Sequence, residues 1–287
     1  MLWSVVVVIW ALTMDSNERP RRRDMLTSLS GAFFACAAAE SAVSGGTAVL
    51  VSVPNRRILS VQGNEIARRW VSAPGSTMKP LSLLALLDAH KLTDRDEFEC
   101  PGELVLGGRR LNCSHPRITV PMNVSRAIAY SCNCAVAHWT QRFSPGELAA
   151  FLTRSGLSSV RFESDVQQQL QALGEEGVNV TPLELVMAYR RIALREADPK
   201  IAPVLEGMEG AVEFGTAQHA GLKRIKVAGK TGSVRMRSGS HAAWFAGFAP
   251  SRSPEVAVVV LVQGRSGGSD AAPIAAHVLR EYFGERA

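Results

Sequence analysis

The sequence of 287 residues is poor in aromatic side chains, which make up 6% of it, and it contains no internal repeat or low-complexity tract. These absences exclude a repeat array and a long disordered arm. The net charge is +6, but the basic residues are scattered and no nucleic-acid-binding motif is present. With 46% hydrophobic and 20% charged residues, we expect a globular protein with a sizeable core and no nucleic-acid partner.

The sequence also lacks an apolar run of about 20 residues, the length that a membrane-spanning helix needs. Leu2–Leu12 is too short, and the basic group Arg19–Arg23 separates it from an apolar stretch that extends to Ala39. Arginines followed by a moderately apolar core and by small residues are typical of a twin-arginine export signal. We expect residues 1–39 to be this signal or, alternatively, an uncleaved membrane tether. Either interpretation places residues 40–287, predicted to be a single catalytic domain, in the periplasm or on the outer face of the cytoplasmic membrane.

Cysteines are scarce, but they can form disulfides or bind metals. Cys100 and Cys113 flank a predicted short hairpin, and in an oxidising compartment they could pair or remain two free thiols. Cys132, Cys134 and His138 lie close in sequence, but their spacing fits no zinc-finger pattern. We therefore expect no metal site and no cofactor.

The hydrophobic pattern predicts the fold class. Strand-like segments occur at 47–54, 57–62, 226–233, 241–249 and 255–263. A mainly helical block lies between the second and third of these segments. Within it, Thr181-Pro-Leu-Glu184 marks a helix start, and a last helix is predicted over 270–283. The sequence thus predicts an α+β fold, a five-stranded antiparallel sheet flanked by helices with a helical insertion.

No G-x-S-x-G motif is present and the histidines are isolated, which argues against a Ser-His-Asp triad. Ser76-Thr-Met-Lys79 instead begins a predicted helix, where a spacing of three places both side chains on one face. A lysine whose pKa is lowered by burial can take the serine proton, and the helix start favours a developing oxyanion. By itself this motif is common on ordinary surface helices.

Two further motifs follow in order. Ser131-Cys-Asn133 begins 55 residues after Ser76, at a predicted break between helices, and offers a proton-relaying hydroxyl and a carboxamide. Lys230-Thr-Gly-Ser233 begins 99 residues later in a predicted strand. There Gly232 lets a substrate backbone approach, and the lysine and hydroxyls suit a carboxylate. Alone, the second motif is better explained by a turn with a capping asparagine, and the third by a bulged strand.

In this order, and on these elements, the three motifs resemble the signature of β-lactamases and penicillin-binding proteins. The segments Gly207–Ala217, Val227–Ser233 and Ala243–Pro250 are similar to the C-terminal half of class B penicillin-binding proteins. Ala172–Pro182 resembles a segment that leads into a helix of the same family. The resemblance extends over roughly residues 45–285.

The resemblance implies a function and a role for each catalytic residue. Ser76 would attack the D-Ala–D-Ala bond of a peptidoglycan stem peptide and form an acyl-enzyme. Lys79 would be the general base, and Ser131 and Lys230 would pass the proton to the leaving D-alanine. An acceptor amine would then give a cross-link, whereas water would give carboxypeptidase action. β-Lactams would act as inhibitors.

The resemblance also implies a substrate-binding set. Asn133 would hold the amide on the acyl side, and Gly232 would allow close approach of the substrate. Thr231 and Ser233 would bind the terminal carboxylate, and the backbone N–H groups of Ser76 and Ser233 would form the oxyanion hole.

Two other functions remain open at this stage, a serine β-lactamase and a non-catalytic β-lactam sensor or wall-binding module. A compact exported domain of this size would suit a lactamase. The carboxylates of the middle segment, Glu147, Glu163, Glu175 and Glu176, lie in no recognisable deacylation motif. The segments after the third motif favour the transpeptidase.

Overall fold

The computed structural model describes residues 45–236 and 238–285. The predicted export signal or membrane tether over residues 1–39 therefore lies outside the described residues. Among the helices that are described, none combines the length and the apolar character that crossing a bilayer requires.

The central element is an antiparallel sheet with the strand order β2-β1-β7-β6-β5. The strands of the described chain are β1 (Gly46–Ser52), β2 (Ile58–Gln62), β3 (Val105–Leu106), β4 (Arg109–Arg110), β5 (Ala228–Arg235), β6 (His241–Ala249) and β7 (Val256–Gln263). The short β3 and β4 form a separate hairpin. The predicted five-stranded sheet and the predicted hairpin are both confirmed.

Helices fill the chain between the early and the late strands, as predicted. They are α1 (Asn64–Arg69), α2 (Lys79–Asp88), α3 (Val124–Ala129), α4 (Asn133–Thr140), α5 (Glu147–Arg154), α6 (Asp165–Ala172), α7 (Pro182–Ala193), α8 (Ala202–Glu213) and, after the sheet, α9 (Ala272–Phe283). The predicted start of α7 is confirmed in detail. The Thr181 side chain accepts from the Glu184 N–H, and the Glu184 carboxylate accepts from the Thr181 N–H.

Both faces of the sheet are covered. Successive side chains of a strand point to opposite faces, and in β7 every residue from Val256 to Val262 is buried. One face belongs to the core formed with α2, α4 and α7, and the other packs on α9. The strand β5 lies at the edge of the sheet, so one side of its backbone is not paired within the sheet.

The element boundaries differ from the predicted ones at two places that matter for the site. The predicted helix at Ser76 begins as a 3₁₀ turn, Gly75–Met78, and continues as α2 from Lys79. The strand predicted over 226–233 is shifted to Ala228–Arg235 because its ladder with β6 extends to His241.

Candidate active site

The serine and lysine of the first motif lie on one short turn. Side chains three apart eclipse one another in a 3₁₀ helix, and the Lys79 N–H donates to the Ser76 carbonyl, which closes this turn. Ser76 is partly exposed, whereas the Lys79 side chain is completely buried. The motif therefore places a reachable hydroxyl above a buried amine.

Two buried aromatic side chains hold the backbone on either side of Ser76. The Tyr189 hydroxyl donates to the Thr77 carbonyl at 2.7 Å. The Trp244 indole N–H, on β6, donates to the Ala73 carbonyl at 3.0 Å. Both rings are fully buried, and sequence analysis identified neither as part of the site. They fix the nucleophile turn against α7 and the sheet.

The Lys79 amine joins the first motif to the second. Its Nζ donates to the Ser131 carbonyl at 2.6 Å, to the Ser131 hydroxyl at 3.1 Å and to the Asn133 Oδ1 at 2.5 Å. Ser131 has a φ of +56°, a left-handed conformation that is uncommon outside glycine. Burial lowers the pKa of Lys79 to about 8, against the opposing effect of the nearby cysteine sulfurs and Glu175. With this pKa about one Lys79 side chain in ten is a free amine at pH 7, far more than for an exposed lysine.

Asn133 links Lys79 to the segment that follows the β3–β4 hairpin. Its Oδ1 accepts from Lys79, and its Nδ2 donates to the Leu111 carbonyl at 2.9 Å. Its backbone N–H is directed at the Cys113 sulfur, 3.2 Å away. These contacts show that Asn133 bridges Lys79 and the segment after the hairpin. Its predicted contact with a substrate amide stays a prediction.

The lysine of the third motif is buried on the edge strand. Lys230 Nζ donates to the Thr231 carbonyl at 3.0 Å and lies 3.4 Å from the Thr216 hydroxyl oxygen. The same Thr216 oxygen accepts from the Thr231 hydroxyl at 2.9 Å. Burial, and then the like charge of Lys79, hold the pKa of Lys230 well below its usual value. The Lys79 amine is thus close enough to Lys230 to act on its pKa, although the two residues are far apart in the sequence.

Thr216 is a site residue that sequence reasoning missed. It lies in the segment Gly207–Ala217, which resembles class B penicillin-binding proteins, but no motif in that segment indicates which residues Thr216 contacts. Its hydroxyl contacts both Lys230 and Thr231, and it therefore positions two residues of the third motif.

The packing around position 232 gives a structural reason for the glycine there. A Cβ at this position would lie 2.6 Å from the Pro74 carbonyl oxygen and 3.3 Å from the Trp244 Cβ. Glycine is required because the segment that carries Ser76 packs directly on the strand, and the predicted room for a substrate backbone stays a prediction. Ser233, the next residue, is exposed, and its hydroxyl accepts from the Gly267 N–H at 3.0 Å.

The structure has Cys100 and Cys113 as free thiols, one of the two interpretations that the sequence left open. Their sulfurs lie 3.7 Å apart. His138, considered beside Cys132 and Cys134, stacks on the Phe98 ring instead. A group that sequence analysis missed has its candidate ligand atoms within 4.8 Å of one another: Cys100, Cys113, His115 and Cys132. The expectation of no metal site considered a different set of residues and stays a prediction.

The comparison with known families agrees with this geometry. Residues 46–280 match the family model described as the penicillin-binding protein transpeptidase domain. The chain belongs to this family. Among curated relatives, Stage V sporulation protein D of Bacillus subtilis is 26% identical over 272 residues, which span 74% of this chain and 42% of that protein. A peptidoglycan D,D-transpeptidase of Mycolicibacterium smegmatis is 35% identical over 90 residues, 28% of this chain and 18% of that protein.

Solved structures share the fold. The transpeptidase domain of Burkholderia pseudomallei penicillin-binding protein 3 superposes with a TM-score of 0.75 at 23% identity, over 84% of this chain and 88% of that one. Pseudomonas aeruginosa PBP2, solved with the compound WCK 5153, gives 0.71 at 20% identity, over 83% and 73%. This transpeptidase-family chain spans less than half the length of the two curated relatives.

Proposed function

We propose that the protein is a penicillin-binding serine D,D-transpeptidase or carboxypeptidase that acts on the D-Ala–D-Ala stem peptides of peptidoglycan. The observation that carries this proposal is the burial of the Lys79 amine and its position beside Ser131. A fully buried amine with a pKa of about 8 lies one turn after a reachable serine and contacts the hydroxyl of Ser131. This is the arrangement that serine activation by a lysine base requires.

In the first half-reaction, Lys79 takes the proton of Ser76, whose oxygen attacks the carbonyl carbon of the penultimate D-alanine. Backbone N–H groups of Ser76 and Ser233 stabilise the oxyanion. The C–N bond then breaks, and the proton passes through Ser131 and Lys230 to the leaving amine. D-Alanine departs and Ser76 carries an ester.

In the second half-reaction, an acceptor amine or a water molecule attacks the ester. Lys79, which has passed the first proton on to D-alanine, takes a proton from the attacking amine or water and gives it to the Ser76 oxygen as the ester C–O bond breaks. Before D-alanine leaves, Thr231 and Ser233 bind the terminal carboxylate of the donor peptide, and Thr216 holds Thr231 in place. Asn133 would hold the amide on the acyl side of the donor peptide. Gly232, in β5, would allow the peptide backbone to approach closely. A β-lactam enters the same first step and leaves a ring-opened ester on Ser76.

The carboxylates of the middle segment support a transpeptidase over a fast β-lactamase, which needs a second base to activate water. Three of them are held in ion pairs: Glu147 with Lys91, Glu163 with Arg161 and Glu175 with Arg109. The oxygens of these three carboxylates that accept from a cation are engaged within the protein and are not directed at a water beside Ser76. The ester therefore waits for an acceptor.

Location is part of the proposal. Stem peptides and their cross-links lie outside the cytoplasmic membrane, so residues 40–287 must act there as one catalytic domain. Residues 1–39 would supply the export signal of twin-arginine type or the membrane tether. Fusion of this segment to a reporter that is active only after export measures the first of these roles.

The decisive experiment is mass spectrometry of the purified protein with a D-Ala–D-Ala peptide, with and without an acceptor amine. We expect release of D-alanine and an acyl-enzyme on Ser76, with a cross-linked product only when the amine is present. A protein that binds the peptide without releasing D-alanine would be a wall-binding module. A protein that labels with penicillin but never processes the peptide would be a β-lactam sensor.

A further inference from the structure

Four cysteines from two distant segments meet beside the candidate active site. Cys100 and Cys113 bracket the β3–β4 hairpin, whereas Cys132 and Cys134 flank Asn133 at the start of α4. Cys132 is completely buried and Cys134 nearly so. The mechanism proposed above uses none of these sulfurs.

The spacing of three of the sulfurs matches a metal–thiolate centre. The Sγ–Sγ distances are 3.7 Å from Cys100 to Cys113, 3.7 Å from Cys113 to Cys132 and 3.4 Å from Cys132 to Cys100. Tetrahedral zinc with bonds of about 2.3 Å places neighbouring sulfurs about 3.8 Å apart. A disulfide would join two sulfurs at about 2.0 Å, well below each of these separations. A closed triangle of three sulfurs therefore favours a shared ion.

The same three sulfurs accept backbone N–H groups, the environment that a thiolate ligand needs. Gly102 N–H is directed at Cys100 Sγ at 3.3 Å, in a Cys-Pro-Gly turn that requires the φ of +82° at the glycine. The N–H groups that face the other two sulfurs are those of Asn133, 3.2 Å from Cys113, and Ala135, 3.4 Å from Cys132. Such N–H donors stabilise negative charge on sulfur.

His115 completes the set of ligands. Its Nε2 lies 3.6 Å from Cys100 Sγ, and its Nδ1 lies 2.8 Å from the Pro116 carbonyl oxygen. An Nδ1–H that donates to this carbonyl leaves the Nε2 lone pair directed at the sulfurs, as in metal-bound histidines. Cys134 Sγ also lies 3.4 Å from Cys113 Sγ, but it differs from the other three sulfurs because it lies 3.5 Å from the Glu103 carbonyl oxygen, to which only a protonated thiol can donate.

We propose that Cys100, Cys113, His115 and Cys132 bind one zinc ion. Three thiolates and one imidazole are a donor set that zinc takes in closed structural sites, with no position left for a catalytic water. The ion would join the segments around the β3–β4 hairpin to the turn that carries Ser131 and Asn133. Its role is to fix that side of the active-site cleft, and the inference stands independently of the reaction performed there.

The test uses the full chain, expressed in the presence of zinc and purified without chelators. We expect one equivalent of zinc by elemental mass spectrometry in the wild-type protein and in the matched control Cys134→Ala. Cys113→Ala and His115→Ala should lose the bound zinc. A Cys134→Ala variant that loses zinc while His115→Ala keeps it would overturn the assignment of the fourth ligand.

A second measurement needs no variant and therefore does not depend on how the variants fold. Titration of the wild-type protein with a mercurial thiol reagent, in the presence of a chromogenic zinc indicator, should release one zinc per chain as the cluster reacts. Replacement by Co²⁺ should give the thiolate charge-transfer band of a tetrahedral site. Reduced protein that takes up neither metal, or intact-mass data showing disulfides among these cysteines instead of bound zinc, would overturn the proposal.

Discussion

The pH dependence of acylation follows directly from the burial of Lys79. Its pKa is lowered from 10.5 to about 8, chiefly because the side chain has no contact with water. At pH 7 this change raises the fraction of neutral amine about 300-fold, equivalent to about 3 kcal/mol at 1.36 kcal/mol per pH unit. Since only the neutral amine can accept the Ser76 proton, the acylation rate should rise about tenfold per pH unit below pH 8 and level off above it.

The assay is the rate of covalent labelling by a fluorescent penicillin between about pH 6 and about pH 10. Lys79→Met, which keeps the volume but removes the amine, should abolish labelling, whereas Lys226→Met at an exposed ion pair should not change it. The lowered pKa of Lys79 also means that its burial costs stability at neutral pH, and that this cost disappears as pH rises from 8 to 10.5. Thermal unfolding over the same range separates the two effects. A flat labelling profile, or rapid labelling of Lys79→Met, would refute the assignment of the base.

Three further outcomes test the rest of the site. Ser76→Ala should lose all penicillin label by intact mass, while urea unfolding shows a loss of at most about 1 kcal/mol; residual label would place the nucleophile elsewhere. A chromogenic cephalosporin should give a burst of one equivalent and then little product, and steady turnover at about 10 s⁻¹ would indicate a lactamase. Thr216→Val removes the hydroxyl that contacts Lys230 and Thr231, which should slow acylation several-fold, about 1 kcal/mol, while Thr216→Ser retains the rate. Equal rates for the two variants would show that Thr216 only fills space.

Local patterns were sufficient to predict most of the fold. The predicted limits of β6, 241–249, coincide with those of the strand because alternation and turn residues bound it on both sides. The start of α7 was predictable because a capping box involves four consecutive positions. The sheet followed from the count of such segments and from their order along the chain.

Contacts between distant segments were beyond the reach of these patterns. The three motifs were predicted to meet, but the bonds from Lys79 to Ser131 and Asn133 depend on how α2 and α4 pack. The hydroxyl of Thr216 acquires its partners only after α8 and β5 come together. Gly232 was expected to let a substrate backbone approach, but the Pro74 carbonyl that a side chain there would meet comes from a segment more than a hundred residues earlier, which no local pattern reveals.

The cysteine cluster shows why the two sides of the cleft need different supports. The side that carries Lys230 belongs to a continuous sheet, whose ladder with β6 holds it along eight residues. The side that carries Asn133 is a turn between two short helices, and its neighbour is a hairpin of two residues per strand. So short a hairpin has little cohesion of its own. The proposed zinc ion would join Cys113 to Cys132 and so supply rigidity at the point where the Asn133 side chain accepts from Lys79.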